Sequence, residues 1–165
     1  ISVGKQFSYA IDKYRSAAPC LKLQKITQTV ISNYRMNLTK LEIPLDIDPG
    51  ATMPEIKADE ENLEVSFFLL DHEDKRGFLK FNNILQFTFG YPNEEAIKGH
   101  RYSKLGLTPF LFCEVNGSEI IKSIKKSNKV HPYHNDEVFK KFRHFVFPFH
   151  DTTLEVIAVS YEFSE

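Results

Sequence analysis

The chain contains no tryptophan and only two cysteines, Cys20 and Cys113. Two cysteines form at most one disulfide bond, so the sequence excludes a small domain held together by a disulfide framework. Cys113 lies in an apolar strand pattern, where a thiol packs as a small buried side chain. Apolar runs are short throughout, and none approaches the length of a membrane-spanning helix. We therefore expect a protein without a membrane span and a cytoplasmic location, although the first residue is Ile1, which is typical of a truncated or processed N-terminus.

The sequence also lacks the motifs that mark common enzyme classes. It has no glycine-rich phosphate loop, no paired-cysteine motif and no HExxH motif. A His-x-Thr motif occurs once, at His150, whereas a two-histidine phosphoesterase needs two. Because each of these motifs places a particular chemical group, their absence favours a binding domain over an enzyme.

Charge is unevenly distributed although the net charge is only −1. Residues 1–40 hold seven bases and one acid, and residues 41–74 hold eleven acids and one base. Residues 75–134 are basic again, with ten bases and four acids. Such blocks are typical of differently solvated faces, and they also suit recognition of a protein partner. A net charge near zero disfavours a nucleic-acid-binding protein, which normally carries a basic excess.

Fifteen phenylalanines dominate what the sequence does contain. Phe145, Phe147 and Phe149 alternate with His144, Val146 and Pro148, so this segment is predicted to be a strand with one aromatic face. A second apolar segment, residues 154–163, follows a short polar turn and completes a hairpin. Residues 78–89 show the clearest alternation and are predicted to form one strand with five apolar side chains in the core: Leu79, Phe81, Leu85, Phe87 and Phe89.

These patterns predict an α+β fold built on an antiparallel, Phe-rich sheet of about five to seven strands. The alternative is a small β-barrel filled by the Phe side chains. Helical spacing predicts helices over residues 5–17 and 23–35, and a further helix over 118–129 that begins at Ser118. We expect one domain in three parts. These are a helical N-terminal segment (1–43), an acidic, proline-containing loop (44–62) and the sheet domain (63–165).

The longest predicted loop inside the sheet, residues 90–106, is a candidate ligand site. Its arginine supplies a planar fork for an anion, its tyrosines supply flat contacts, and its histidine changes charge near neutral pH. The predicted ligand-binding residues are Tyr91, His100, Arg101, Tyr102 and Lys104. An ordinary solvated connection is the competing interpretation.

A second candidate site is the predicted hairpin tip, where His150 precedes Asp151. A histidine oriented by an aspartate can act as a general base, so these are the catalytic candidates if the chain is an enzyme. Both sites lie at strand ends, and we expect the His100 loop and the His150 turn to form one polar concavity.

Four of the six histidines fall within twenty residues. His131 and His134 have a spacing that suits zinc if a third ligand comes from elsewhere, although a structural role without any cofactor is the stronger interpretation. The sequence therefore favours a non-catalytic binding domain for a protein partner or a small anionic ligand. A hydrolase with a histidine-rich site, using metal or acid–base chemistry, is the alternative.

Overall fold

The computed structural model describes residues 36–43, 48, 54–70 and 75–165, which all belong to one compact unit, Met36–Glu165. The predicted helices over 5–17 and 23–35 lie outside the described residues. Nine strands of the described chain form two antiparallel sheets, which are its main secondary structure. Short 3-10 helices occur at Ile97–Gly99, Ser103–Leu105, Asn128–Val130 and Asp136–Lys141.

One sheet has five strands in the order β1-β6-β7-β8-β5. They are β1 (Asn37–Lys40), β5 (Gln86–Gly90), β6 (Cys113–Asn116), β7 (Arg143–Pro148) and β8 (Thr153–Ala158). The other sheet has four strands in the order β2-β3-β4-β9. They are β2 (Glu55–Ala58), β3 (Asn62–Phe68), β4 (Arg76–Asn82) and β9 (Ser160–Ser164). Part of the predicted 44–62 loop is therefore a strand, because Glu55–Ala58 pairs with β3.

The core lies between the aromatic faces of the two sheets. Phe81 of β4 contacts Phe145 and Phe147 of β7, with ring centroids 5.7 and 5.4 Å apart. The alternation that predicted an aromatic face over residues 145–149 is confirmed, since all three phenylalanines are buried. The antiparallel, Phe-rich character of the fold is confirmed. The prediction of one sheet of five to seven strands is wrong, because the described chain forms nine strands in two open sheets, and the alternative of a closed barrel is also wrong.

The predicted single strand over 78–89 is wrong. The chain leaves the four-stranded sheet after Asn82, turns through Asn83 in the left-handed region (φ 52°), and enters the five-stranded sheet at Gln86. Leu79 and Phe81 are buried as expected, and Phe89 packs partly against the core. Leu85 and Phe87 are 38% and 37% exposed because they lie at the turn and on an edge strand.

One α-helix, α1 (Glu119–Ser127), lies on the side of the five-stranded sheet that faces away from the core. The Oγ of Ser118 accepts a hydrogen bond from the Ile121 amide (3.3 Å), as the capping pattern predicts. The helix is strongly amphipathic, yet none of its residues is fully buried. Its isoleucines, Ile120, Ile121 and Ile124, are only half-buried, so its apolar face is incompletely covered.

Candidate functional site

A buried carboxylate forms the centre of a polar cluster on the five-stranded sheet. Glu155 stands in the middle of β8, between Leu154 and Val156, and its side chain is 10% exposed. Alternation along β8 turns Leu154 and Val156 toward the core, so Glu155 faces the outer side of the sheet together with His144 of β7. The residues after β5 bring His100 and Arg101 to the same place.

Three side chains donate hydrogen bonds to the two oxygens of this carboxylate. Oε1 accepts from His100 Nε2 at 3.1 Å and from Arg101 Nη2 at 2.7 Å, and Oε2 accepts from His144 Nε2 at 3.0 Å. Burial is the largest influence on the pKa of Glu155 and raises it, but the three hydrogen bonds together outweigh burial. The pKa of Glu155 therefore lies well below its ordinary value, and the carboxylate stays ionised at neutral pH.

The remaining ring nitrogen of each histidine is also engaged. His100 Nδ1 accepts the backbone N–H of Tyr102 at 3.2 Å, which places the His100 proton on Nε2, toward Glu155. His144 Nδ1 lies 2.8 Å from Ser118 Oγ. Since that oxygen already accepts from the Ile121 amide, its hydroxyl is free to donate to His144. All four ring nitrogens of His100 and His144 thus have partners inside the protein.

A cleft of about 400 Å³ opens over this cluster, between β5 and α1. Its floor is mostly polar and includes Glu155, His144 and Thr88, and α1 contributes apolar side chains to its wall. The full lining consists of Gln86, Phe87, Thr88, Arg101, Glu119, Ile120, Ser123, Ile124, His144, Glu155 and Ile157.

The charges in the cleft lining are balanced by neighbours within the chain. Arg101 pairs with Glu155, and Glu119 pairs with Lys122 at 2.6 Å. Only Arg101 Nη2 takes part in the hydrogen bond to Glu155, and the Arg101 side chain is 53% exposed. The cleft is therefore close to electrically neutral, with spare donors on one guanidinium.

The five predicted ligand residues do not all meet. His100, Arg101 and Tyr102 lie around Glu155, with the Arg101 guanidinium 5.4 Å from the centre of the Tyr102 ring. Tyr102 is buried against His144, and burial raises the pKa of its hydroxyl to about 12, so it packs inside instead of offering a free face. Tyr91 and Lys104 are exposed to solvent.

The second predicted site touches the same loop at another point. His150 Nδ1 lies 2.9 Å from Asp151 Oδ1, and its Nε2 lies 3.8 Å from Glu94. The hydrogen bond that His150 Nδ1 donates to Asp151 Oδ1 is the main cause of the raised pKa of His150. The two carboxylates therefore extend the pH range over which His150 stays protonated. The 90–106 loop thus contacts the His150 turn through Glu94, whose amide donates to the His150 carbonyl. The His100 side chain of the same loop contacts Glu155 instead.

The two predicted metal ligands lie near each other, beyond α1. His134 contacts Asn128 through Nδ1 (2.9 Å) and Asp136 through Nε2 (2.8 Å), so both of its ring nitrogens have protein partners. His131 Nδ1 accepts the Tyr133 amide. Within the described ranges, no three His, Cys, Asp or Glu side chains gather as a group that could hold a metal ion.

Glu155, Ser118 and His144 were not among the site residues predicted from the sequence. A signal for Glu155 was available, because one acid inside the apolar run Leu154 to Val159 must be paired if that strand is buried on both faces. The identity of its partners depends on contacts between residues far apart in the sequence, which alternation does not reveal.

Among the described residues, no helix has the length and apolar character to span a membrane. Comparisons with protein-family models, curated proteins and solved structures find no match for this chain.

Proposed function

We propose that this chain is a non-catalytic binding domain that recognises a protein partner through the cleft between β5 and α1. The observation that carries the proposal is the incompletely covered apolar face of α1, which borders the cleft. An amphipathic helix normally buries its apolar face, so half-buried isoleucines at a cleft are typical of a binding surface.

The polar groups at the cleft floor support binding over catalysis. A general base needs a free lone pair near the reacting group, and a general acid needs a proton that it can release. The Nδ1 lone pairs of His100 and His144 are used by Tyr102 and Ser118, and their Nε2 protons are directed to Glu155. Glu155 itself has a lowered pKa and is a weak base. The hydrolase alternative therefore draws less support from this geometry.

A small anionic ligand is the second candidate, and one observation favours it. Half of the Arg101 side chain is exposed, and its Nε and Nη1 are not used by Glu155. Two lining carboxylates, Glu119 and Glu155, oppose an anion at the same place. The balance of charge in the cleft therefore favours an uncharged segment of a protein.

The proposal is tested by selecting linear peptides from a random phage-displayed library on the immobilised full chain. The selected peptides are then measured against Ile124→Asp, which places a charge on the α1 wall of the cleft. Val130→Asp is the matched control, because Val130 is 92% exposed and is not part of the cleft lining.

We expect the peptides to bind the unaltered chain and Val130→Asp equally, and to bind Ile124→Asp at least about tenfold more weakly. Circular dichroism of both variants checks that they are folded. Failure to enrich any peptide, or equal binding to all three proteins, would contradict the proposal. Competition by inorganic phosphate would instead support the small-anion candidate.

A further inference from the structure

We infer that the partner binds as an extended segment that adds a sixth strand to the five-stranded sheet, alongside β5. This inference rests on the proposed function and specifies how the partner is held. The strand β5 pairs with β8 on one side, and no described strand pairs with its other side. An edge strand of this kind offers unpaired backbone groups to a partner.

The hydrogen-bonding pattern identifies which backbone groups of β5 point outward. The Phe149 amide donates to the Thr152 carbonyl at the β7–β8 hairpin (2.8 Å). Phe149 and Thr152 are therefore a hydrogen-bonded pair between β7 and β8, from which the alternation along β8 can be counted. Alternation then directs the backbone of Thr153, Glu155 and Ile157 toward β5. The 2.7 Å hydrogen bond from the Leu85 amide to the Ile157 carbonyl agrees with this assignment.

The partners of those three residues in β5 are Gly90, Thr88 and Gln86. The intervening residues, Phe87 and Phe89, therefore direct their N–H and C=O groups away from β8. An added strand can pair with both. Phe87 is also 37% exposed, which leaves its ring available to a cross-strand neighbour.

Among the four edge strands of the described sheets, β5 is the one that contains neither a charged residue nor a proline. The edge strand β1 carries Lys40, β9 carries Glu162, and β2 carries Glu55 and Lys57 directly after Pro54. Charges and prolines on edge strands oppose pairing with a further chain. The sequence of β5, Gln-Phe-Thr-Phe-Gly, contains neither.

The charge balance of the cleft determines the chemistry of the added segment. Side chains on one face of that segment would lie over the cleft, near Ile120 and Ile124 of α1. Since Arg101 and Glu119 already have ionic partners, a charged side chain entering the cleft would lose hydration without gaining an unpaired counter-charge. The segment should therefore carry uncharged aliphatic residues at alternate positions.

The test uses four synthetic peptides, capped at both ends, and the full chain. Three have the pattern Thr-X-Thr-X-Thr-X with X as Val, Glu or Lys, and the fourth is the Val peptide with alternate backbone nitrogens methylated. We expect the Val peptide to bind in the millimolar range or more tightly, and N-methylation to weaken binding by about tenfold, because it removes strand hydrogen bonds. The Glu and Lys peptides should bind more weakly than the Val peptide.

Protein variants provide the matched comparison. Phe87→Ala removes the ring but keeps the outward N–H, whereas Phe87→Pro removes both and is tolerated where an edge N–H faces solvent. We expect the Pro variant to bind the Val peptide more weakly than the Ala variant does. Amide hydrogen exchange should be fast at Phe87 and Phe89 in the free protein and slower when the Val peptide is bound.

Several outcomes would overturn the inference. These are no binding of the Val peptide, no effect of N-methylation, or slow exchange of Phe87 and Phe89 in the free monomer. A dimer in sedimentation that Phe87→Pro dissociates would show that the occupant is a second copy of this chain instead. If library peptides depend on Ile124 but tolerate N-methylation and Phe87→Pro, the binding function stands and strand addition fails.

Discussion

Glu155 is a charged residue inside a strand that is otherwise apolar and buried. Its carboxylate is tolerated there because His100, Arg101 and His144 each donate a hydrogen bond to it. A buried charge with matched donors is not in itself a large source of stability, but removing one member leaves the others unpaired in a poorly solvated place. The cluster therefore holds the 91–106 segment against the outer face of the sheet.

Replacing Glu155 by glutamine tests this dependence at the scale of one residue. The Gln amide nitrogen is a donor and would face the N–H of a histidine, so we expect Glu155→Gln to lower the free energy of unfolding by about 3 kcal/mol. Urea unfolding provides the measurement. Glu137→Gln serves as the control, because Glu137 forms an exposed ion pair with Lys140, which contributes little. Equal unfolding midpoints for the two variants would contradict the role of the cluster.

A second residue-scale prediction concerns His150. Its pKa is raised above 6.5, mainly by the hydrogen bond that it donates to the Asp151 carboxylate, so it should be protonated over a wider pH range than a free histidine. Asp151→Asn removes the negative charge beside His150 and should lower the pH at which His150 titrates, as measured by NMR. A His150 midpoint that does not move would show that the pair is absent in solution. Because both side chains are exposed, the fold itself should be little affected.

The segment from β4 to β5 shows that alternation of apolar residues predicts which side chains are buried but not which sheet a strand joins. Leu79 and Phe81 follow the alternation and are buried, but the pattern continues unchanged through a change of sheet. A left-handed Asn83 produces the turn, and asparagine is a residue type that adopts this conformation readily. Asn83, a polar residue within an otherwise apolar face, was therefore the sequence signal for the turn. The destination of the chain after it depends on long-range pairing with β8, which no local pattern encodes.

Two phenylalanines on this segment should differ sharply in their contribution to stability. Phe81 is fully buried and contacts Phe145, Phe147 and Tyr161, so Phe81→Ala should cost about 3–5 kcal/mol through lost burial and the resulting cavity. Phe87 is 37% exposed, and Phe87→Ala should cost about 1 kcal/mol. Denaturant midpoints of the two variants measure the difference. Similar losses would mean that Phe87 is buried in solution.

At the scale of the whole molecule, the Glu155 cluster should make stability depend on acid pH. The pKa of Glu155 is lowered in the folded state from an ordinary value of 4.5, so the unfolded chain binds this proton first as pH falls. Its stabilising effect is therefore complete above about pH 5 and is lost as pH falls toward the folded-state value.

The expected result is a free-energy difference between the unaltered chain and Glu155→Gln that is constant near neutral pH and shrinks below about pH 4.5. Urea unfolding at a series of pH values measures it. Arg101→Lys is a useful companion variant, because a lysine keeps the charge but loses the planar fork. A difference that grows in acid would reverse the assigned direction of the pKa shift.

The sequence predicted the composition of the core better than the arrangement around it. Alternation identified the inner face of β7, and the serine cap identified the start of α1. The division into two sheets was not predictable in this way, since β8 and β9 read as one continuous apolar segment. Only their partners distinguish the two strands: β8 pairs with both β7 and β5, whereas β9 pairs with β4. Such pairing joins residues far apart in the chain.

That pairing also sets the order in which the protein can fold during synthesis. The strand β8 lies between β7 and β5, and β9 completes the other sheet beside β4. Both strands come from residues 153–164, so neither sheet can be finished on the ribosome until those residues have left the exit tunnel. Until then β4 lacks its partner β9 and β5 lacks its partner β8, and such unpaired strand edges favour aggregation or chaperone binding. Stop codons or ribosome stalling before residue 153 should therefore yield chains that do not fold.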